Sequence, residues 1–389
     1  MFPLRGLLTS RRILLGPLPA ILVLLILSNW VAVQYRQWLE EQQRANLLRA
    51  QATAEQPRRE IRYDLSEGGD FSRYFLSIPD SQKEPLAILC GMSQMYAINN
   101  YKPGDQTISE WMDDQAAPKR GRVFGLAAPS LCNEEAMFLL LSTASHPKTT
   151  PKLFIYGLCF DKFRFLDLRP SYQLFLANHP EVQRLWEAVA RNYASRYPLA
   201  SAKMLQSLQD ARASMIKVGD ESLEGRLRGW ISRYSPLVAE RKELNTAVQM
   251  QLYEARNWLL HIKSTTKRPV IEGRYELNQQ FLEMMMDVAE PRHIQLAMYI
   301  IPLNPQGENP YIPAQYEEFK AWADSICHQR GVPFANLENE VPADDWGTFL
   351  GGPDFKHFKA IGHRLTAQAV LERFGPLLFQ GESPPAPAR

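Results

Sequence analysis

The chain has almost no excess of charge of either sign, and its basic residues are dispersed. Of 389 residues, 44 are Lys or Arg and 42 are Asp or Glu, which leaves a formal net charge of +2. Proteins that bind nucleic acid carry a basic patch or stripe, and no long run of Lys and Arg occurs here. We therefore expect no nucleic acid among the partners of this protein.

Sequence patterns that bind metals are also lacking. The chain has four cysteines and seven histidines, but it has no Cys-x-x-Cys pair and no His-x-x-x-His pair. The Asp-x-x-His sequence from Asp354 to His357 supplies only two ligands, fewer than the three or four protein ligands of a zinc site. We therefore expect neither a metal ion nor another cofactor.

One stretch near the N-terminus lacks charge altogether. Residues 13–33 contain no Asp, Glu, Lys or Arg, and three arginines precede them. A helix of this length is about 30 Å long, enough to cross the hydrocarbon layer of a membrane. The alternative is a cleaved signal peptide, but its apolar core would be shorter, about 7–15 residues, and residues 28–34 form a poor cleavage site. We expect a retained transmembrane anchor, with residues 1–12 in the cytoplasm.

An exported domain can form disulfides, and this chain has four cysteines. Cys90 and Cys159 each end an apolar, strand-like run, where free buried cysteine is common. Cys132 and Cys327 fall in segments with a helical pattern. The sequence therefore predicts no particular disulfide.

Beyond the anchor, the sequence predicts a stalk and then an α/β domain. Residues 34–60 are rich in helix formers, which predicts a helical stalk. From residue 61, short apolar runs alternate with helical patterns, which predicts a parallel sheet with right-handed crossovers. The stretch 94–120 is polar and predicts an irregular loop. The predicted strands are 86–90, 123–127, 152–159, 294–301 and 332–337.

The alternation of strands and helices is interrupted between residues 171 and 265. This stretch is almost wholly helical in pattern, and its apolar residues recur at helical spacing, which is typical of a core-facing surface. We expect a helical insertion that packs onto the sheet or caps it. The domain is thus predicted in two parts, 61–170 and 266–378, followed by a disordered tail, 379–389.

A serine follows the first predicted strand closely. Residues 86–90 form a continuous apolar run, typical of a strand buried on both faces. The strand ends at Gly91, which permits a tight turn, and Ser93 comes two residues later. Because open α/β sheets carry their chemistry beyond the carboxyl ends of strands, Ser93 is a candidate nucleophile. The alternative is a serine that caps the following helix.

A serine nucleophile needs a base, and the base needs a carboxylate that fixes its tautomer. His357 and Asp354 lie three residues apart, so that one short turn brings the carboxylate to the ring. We predict His357 as the base and Asp354 as its orienting partner. His363 is the rival base, but it lies within the amphipathic pattern of the last helix, which favours a structural histidine.

The developing oxyanion of an acyl transfer needs hydrogen-bond donors that are in place before the reaction. The backbone amide of Ser93 is one predicted donor. The backbone amide of Gly125 is the other, because Gly125 stands at the end of the second predicted strand and glycine lets the backbone approach a substrate closely.

The ordered set of residues resembles the SGNH (GDSL-type) hydrolase superfamily. Gly91 and Ser93 stand at its nucleophile block, Gly125 fits the second block, and Asp354 and His357 match the closing Asp-x-x-His. The most similar branch is membrane-anchored and partners multi-pass MBOAT acyltransferases. It includes the D-alanyl transfer protein of teichoic acid modification, whose strand and Pro-x-Asn turn resemble residues 299–304, and the alginate O-acetylation proteins.

One segment departs from the family pattern. The third block of the family is usually Gly-x-Asn-Asp, and its Asn donates to the oxyanion. The corresponding residues here, 157–161, read GLCFD and contain no Asn. The third oxyanion donor is therefore unassigned by the sequence, and a loss of hydrolytic activity stays open.

The resemblance implies a fold, an activity and a location. The fold would be an SGNH-like (flavodoxin-like) three-layer sandwich. The activity would be serine O-acyl transfer, with an acetyl group, to a cell-surface or exported polysaccharide, and an MBOAT-type membrane acyltransferase would supply the acyl group. The protein would sit in a bacterial inner membrane with its domain facing the periplasm or cell exterior. A carbohydrate esterase and a catalytically silent scaffold that binds polysaccharide are the alternatives.

Overall fold

A parallel sheet of five strands lies at the centre of the part of the chain that the structure describes. The strands are β1 (Leu86–Gly91), β2 (Arg122–Ala127), β3 (Leu153–Leu158), β4 (Gln295–Ile300) and β5 (Phe334–Asn336). Their order in the sheet is β2-β1-β3-β4-β5, and each neighbouring pair is parallel. This is the flavodoxin-like order: β2 lies on one side of β1, whereas β3, β4 and β5 follow one another on the other side, so that the switch point lies between β1 and β3. All five predicted strands are confirmed.

The structure is a computed structural model, and it describes most of the predicted α/β domain. The described residues are 71, 75, 78–81, 83–219, 266–349 and 352–379. They contain no helix that is both long enough and apolar enough to cross a membrane. The predicted anchor, the predicted stalk and residues 380–389 of the predicted tail lie outside the described residues.

Helices cover both faces of the sheet because its central strands are apolar on both sides. Every residue of β1 and β3 is buried. Alternate residues of β1 point to opposite faces, so that Ile88 packs in one hydrophobic core and Leu89 in the other. The helices are α1 (Ile108–Ala116), α2 (Asn133–Ala144), α3 (Pro170–Asn178), α4 (Pro180–Asn192), α5 (Pro198–Gly219), α6 (Glu272–Ala289), α7 (Pro313–Gln329) and α8 (Ala360–Phe379).

The two cores are built from different helices. Residues of α2, α6 and α7 pack with Ile88, whereas residues of α1 and α8 pack with Leu89. The result is a layer of helices on each face of the sheet. The described chain therefore forms the three-layer α/β arrangement that the alternation of strands and helices predicts.

The described part of the helical insertion packs against α2 and extends the first core. The ring of Tyr172, on α3, stacks on Phe138 of α2 at a centroid distance of 4.8 Å. Trp186, on α4, is fully buried, and its indole N–H donates to the carbonyl of Met204 on α5 at 2.7 Å. Residues 220–265 of the predicted insertion lie outside the description.

The prediction of an irregular loop over residues 94–120 is wrong, because helix α1 lies within it. A capping box starts this helix: the Thr107 hydroxyl accepts from the Glu110 amide at 3.4 Å, and the Thr107 amide donates to the Glu110 carboxylate at 2.6 Å. Ile108 and Met112 then bury one face of the helix against the sheet. The Thr-x-x-Glu sequence was the overlooked signal.

The prediction that Asp354 and His357 lie in one short turn is also wrong. Both residues lie on strand β7 (Gly352–Phe358), which pairs antiparallel with β6 (Trp346–Phe349). This two-stranded sheet is separate from the five-stranded one. The sequence of β7, GPDFKHF, starts with Gly-Pro and lacks regular apolar alternation, so its strand character comes from its pairing with β6.

Candidate active site

Ser93 lies just beyond the carboxyl end of β1, in a short turn of 3₁₀ helix, Ser93–Met95. Met92 is extended and connects the strand to this turn. Met95 folds back over Gly91, where an added Cβ atom would overlap the Met95 sulfur and displace that side chain. Met92 and Met95 are buried, whereas Ser93 is only half-buried. The turn thus fixes the backbone in the core and leaves the hydroxyl accessible.

The structure brings Ser93, His357 and Asp354 together. The Ser93 hydroxyl oxygen lies 2.9 Å from Nε2 of His357. Nδ1 of the same ring lies 2.9 Å from Oδ2 of Asp354. These distances are those of a nucleophile bonded to its base and of a base bonded to its orienting carboxylate.

The environment of Asp354 keeps it ionised at neutral pH. Burial raises the pKa of this carboxyl group, but the contacts with His357 and the backbone amides outweigh burial and hold the pKa below its usual value. The amides of Lys356 and His357 donate to Oδ1 at 3.0 and 3.2 Å. Oδ2 is therefore left to face the imidazole as an anionic acceptor.

His363, the rival base, takes a structural position. Its side chain is fully buried and its ring packs edge-on against Phe358, with the centroids 4.7 Å apart. Nε2 lies 3.4 Å from the carbonyl of Ala97. The structure therefore places His357, and not His363, beside the Ser93 hydroxyl.

The two predicted oxyanion donors differ in position. Ser93 is the first residue of the 3₁₀ turn, and the amides of a first helical turn lack partners within the helix. Gly125 is not at a strand end: it lies opposite Leu89, two residues before the end of β2 at Ala127. Its amide therefore lies about 6–7 Å before the carboxyl end of the strand, measured along β2. The Ser93 amide stays the predicted donor, whereas the prediction that Gly125 lies at a strand end, on which its role as a donor depended, is wrong.

Gly157, at the segment that departs from the family pattern, has a packing role. A Cβ atom at this position would lie 2.9 Å from the hydroxyl oxygen of Tyr299 on the neighbouring strand. Asp161, four residues later, is buried, and its Oδ1 lies 3.4 Å from a guanidinium nitrogen of Arg268. This segment thus supplies packing and an ion pair.

The thiols near the sheet edge stay protonated. All four cysteines are buried and free. Burial raises the pKa of Cys90, at the end of β1, to about 12. Burial likewise raises the pKa of Cys159, which follows β3. Because a thiol reacts as its thiolate, neither cysteine competes with Ser93 as a nucleophile.

Lys162 is a buried cation close to the same sheet edge. Its Nζ donates to the carbonyl of Gly157 at 2.7 Å and lies 4.0 Å from the centroid of the Tyr156 ring. The side chain is fully buried, and burial lowers the pKa of the amine to about 8. The charge is therefore costly in the folded protein at neutral pH.

Because burial disfavours the charged form of Lys162, we predict that the stability of the folded protein depends on pH. Because the pKa of Lys162 is lower in the folded state, the unfolded state binds more protons between about pH 8 and pH 10.4, and Lys162 contributes increasing stability as the pH rises. From pH 7.5 to pH 10, the free energy of unfolding of the wild type should rise by about 2 kcal/mol relative to Lys162→Met, measured in urea. Parallel curves for the two proteins would contradict this prediction. Lys152→Met, which removes an ammonium bonded to the carbonyl of Leu378, is the control.

Among the residues that the structure describes, no group of three or more His, Cys, Asp or Glu side chains could hold a metal ion. The Asp354 and His357 side chains instead contact each other and Ser93. The arrangement is suited to the activation of a serine hydroxyl without help from a metal, and the expectation of no cofactor stays a prediction.

Comparison with known proteins gives no family. No protein-family model and no curated protein matches the chain. Among solved structures, the chain is similar to that of a "putative acylhydrolase" from Bacteroides fragilis NCTC 9343, with a TM-score of 0.36 and 10% identity over 82% of this chain and 100% of that chain. A likeness at this level assigns neither fold nor function, so any function has to be inferred from the side chains of this chain.

Proposed function

We propose that this protein is an SGNH-like serine O-acyltransferase. The observation that carries the proposal is the continuous hydrogen-bonded series from Ser93 through His357 to Asp354, with both distances at 2.9 Å. The same distance weakens the scaffold alternative, because a catalytically silent relative has no need to keep a serine hydroxyl bonded to an oriented imidazole.

In the first half-reaction, the Ser93 hydroxyl oxygen attacks the carbonyl carbon of an acyl donor. Nε2 of His357 takes the hydroxyl proton, and Asp354 stabilises the imidazolium that forms. The tetrahedral intermediate then collapses, the leaving group departs with the proton from His357, and Ser93 holds the acyl group as an ester. The backbone amide of Ser93 would stabilise the oxyanion.

In the second half-reaction, His357 takes the proton of an acceptor hydroxyl, whose oxygen attacks the acyl-Ser93 ester. Collapse of the second intermediate releases the acylated acceptor, and the proton returns to Ser93. We propose acetyl as the acyl group and a hydroxyl of a cell-surface or exported polysaccharide as the acceptor. The predicted anchor and the resemblance of the site residues to the membrane-anchored SGNH branch support a membrane acyltransferase as the source of the acyl group, on the outer side of a bacterial inner membrane.

A carbohydrate esterase is the second candidate. About 22% of the His357 side chain is exposed, and Ser93 is half-buried. Water can therefore reach the acyl-enzyme position from solvent. Transfer and hydrolysis share the first half-reaction and differ only in whether a sugar hydroxyl or water takes the acyl group.

The test is reaction of the full-length protein with a fluorophosphonate probe, which forms a phosphonyl ester with activated serines. We expect one adduct, located by mass spectrometry on Ser93, and its loss in His357→Ala. Release of acetate from 4-nitrophenyl acetate should then fall, and acetylated sugar should appear, when an oligosaccharide acceptor is added. A folded wild-type protein without the adduct would contradict the proposal, and acetate release that ignores every acceptor would favour the esterase.

A further inference from the structure

The side chain of Gln94, the residue after Ser93, joins three separate parts of the site. Gln94 is 1% exposed, and its Nε2 donates to the carbonyls of Pro302 and Lys356, both at 2.8 Å. An amide –NH₂ group has two donors, so both are used. Pro302 follows β4, and Lys356 directly precedes His357 on β7. One buried amide therefore holds the turn after β1, the end of β4 and the strand of the base.

This link matters because the nucleophile and the base lie on different sheets. Ser93 follows a strand of the five-stranded sheet, whereas His357 belongs to the separate hairpin of β6 and β7. The hydrogen-bond register of neither sheet therefore sets the distance between the two side chains. That distance depends on contacts that connect the hairpin to the sheet.

Other contacts hold the same strand on either side of the Gln94 contact. Nδ2 of the Asn304 side chain donates to the carbonyl of Asp354 at 2.9 Å, and the backbone N–H of Asn304 donates to the carbonyl of Phe355 at 3.0 Å. Beyond His357, the amide of Asn99 donates to the carbonyl of Phe358 at 2.9 Å. Gln94 supplies the contact at residue 356, and it is the one that starts from the residue adjacent to Ser93.

We propose that Gln94 is a positioning residue for the proposed reaction, and the inference rests on that reaction. It fixes the Ser93–His357 distance by tying the backbone of residue 356 to the turn that carries the nucleophile. Both contacts of its –NH₂ group are to backbone carbonyls, and neither is to Ser93 or His357. Its effect passes through His357, because a shift of β7 lengthens the hydrogen bond from Ser93 to the imidazole.

The test is Gln94→Met, which keeps the length of the side chain and removes both donors. A misplacement of about 1 Å costs roughly 100-fold in rate. We therefore expect the limiting rate of fluorophosphonate labelling to fall about 100-fold, while the probe concentration at half-saturation stays unchanged. The downfield proton resonance of the His357 Nδ1–H, identified by its loss in His357→Ala, should broaden or disappear in Gln94→Met.

Gln173→Met is the matched control, since it removes a half-buried side-chain amide that donates to the carbonyl of Leu168 at 3.0 Å, remote in sequence from the site. It should lose a similar hydrogen bond without a change in labelling rate or in the His357 resonance. A folded Gln94→Met protein with both signals at wild-type values would overturn the inference. If the wild type takes no probe, the proposed function fails, and the resonance alone then decides whether Gln94 orients His357.

Discussion

Replacement of Ser93 by alanine should abolish acyl transfer while the protein stays folded. The variant has no oxygen to form the ester, and loss of a serine nucleophile costs on the order of 10⁶-fold in turnover. Ser93 is half-buried in a turn whose anchors are Met92 and Met95, so removal of its hydroxyl leaves the core intact. The measurement is release of acetate from 4-nitrophenyl acetate by the purified variant, beside acetylation of the polymer in cells that carry it.

Ser145→Ala is the control for this variant. Ser145 caps the end of α2, where its hydroxyl donates to the carbonyl of Leu141 at 2.8 Å, and its loss should leave turnover at the wild-type level. Polymer acetylation that persists in Ser93→Ala would exclude Ser93 as the carrier of the acyl group. The same result would revive the scaffold as the function of this protein.

Replacement of Asp354 by asparagine should lower turnover about 10⁴-fold with little change in the backbone. The oxygen of asparagine can still accept from the amides of Lys356 and His357, so the local backbone of β7 persists. Its –NH₂ group, however, would face Nδ1 of His357. The ring must then present a lone pair at Nδ1 and carry its proton on Nε2, which prevents it from taking the Ser93 proton. Kinetics of 4-nitrophenyl acetate turnover test this expectation.

We also expect the difference in free energy of unfolding between wild type and Asp354→Asn to depend on pH. Because the folded state holds the pKa of Asp354 below its unfolded value, its contribution to the free energy of unfolding is complete above about pH 4 and is lost at lower pH. The stability difference between wild type and Asp354→Asn should therefore shrink as the pH falls below about 4.

The control for the loss of turnover in Asp354→Asn is Asp113→Asn, which loses an ion pair with Arg122 and should lose stability yet retain turnover. Equal losses of turnover in the two variants would indicate that general destabilisation, and not the tautomer, is responsible.

Much of the sheet could be predicted because its central strands are buried on both faces. Such strands appear in the sequence as short apolar runs, as in residues 86–90 and 153–158, and their identity does not depend on their partners. Strand β7 is different. It has a polar sequence that begins with Gly-Pro, and it is a strand only because β6 lies beside it. No local pattern in residues 352–358 predicts the pairing of β7 with β6.

In the candidate site, too, some residues could be predicted from local patterns and others only from the tertiary structure. Ser93, Asp354 and His357 could be selected from the sequence, because a serine after a strand and an Asp-x-x-His pair are local patterns. Gly125 is not at a strand end, because β2 continues two residues beyond it, opposite the end of β1. Gln94 was overlooked because its contacts, to the carbonyls of Pro302 and Lys356, lie more than 200 positions away along the chain.

The sequence by itself determined which side chains are available for the proposed reaction and which strands form the sheet, because both depend on short stretches of chain. Only the tertiary structure decided that Ser93 and His357, 264 positions apart, lie within 2.9 Å of each other. It also placed the base on a separate hairpin and joined that hairpin to the nucleophile turn through Gln94. Distances of this kind arise from the packing of segments that are remote in sequence, where a shift of 1 Å separates a hydrogen bond from a gap.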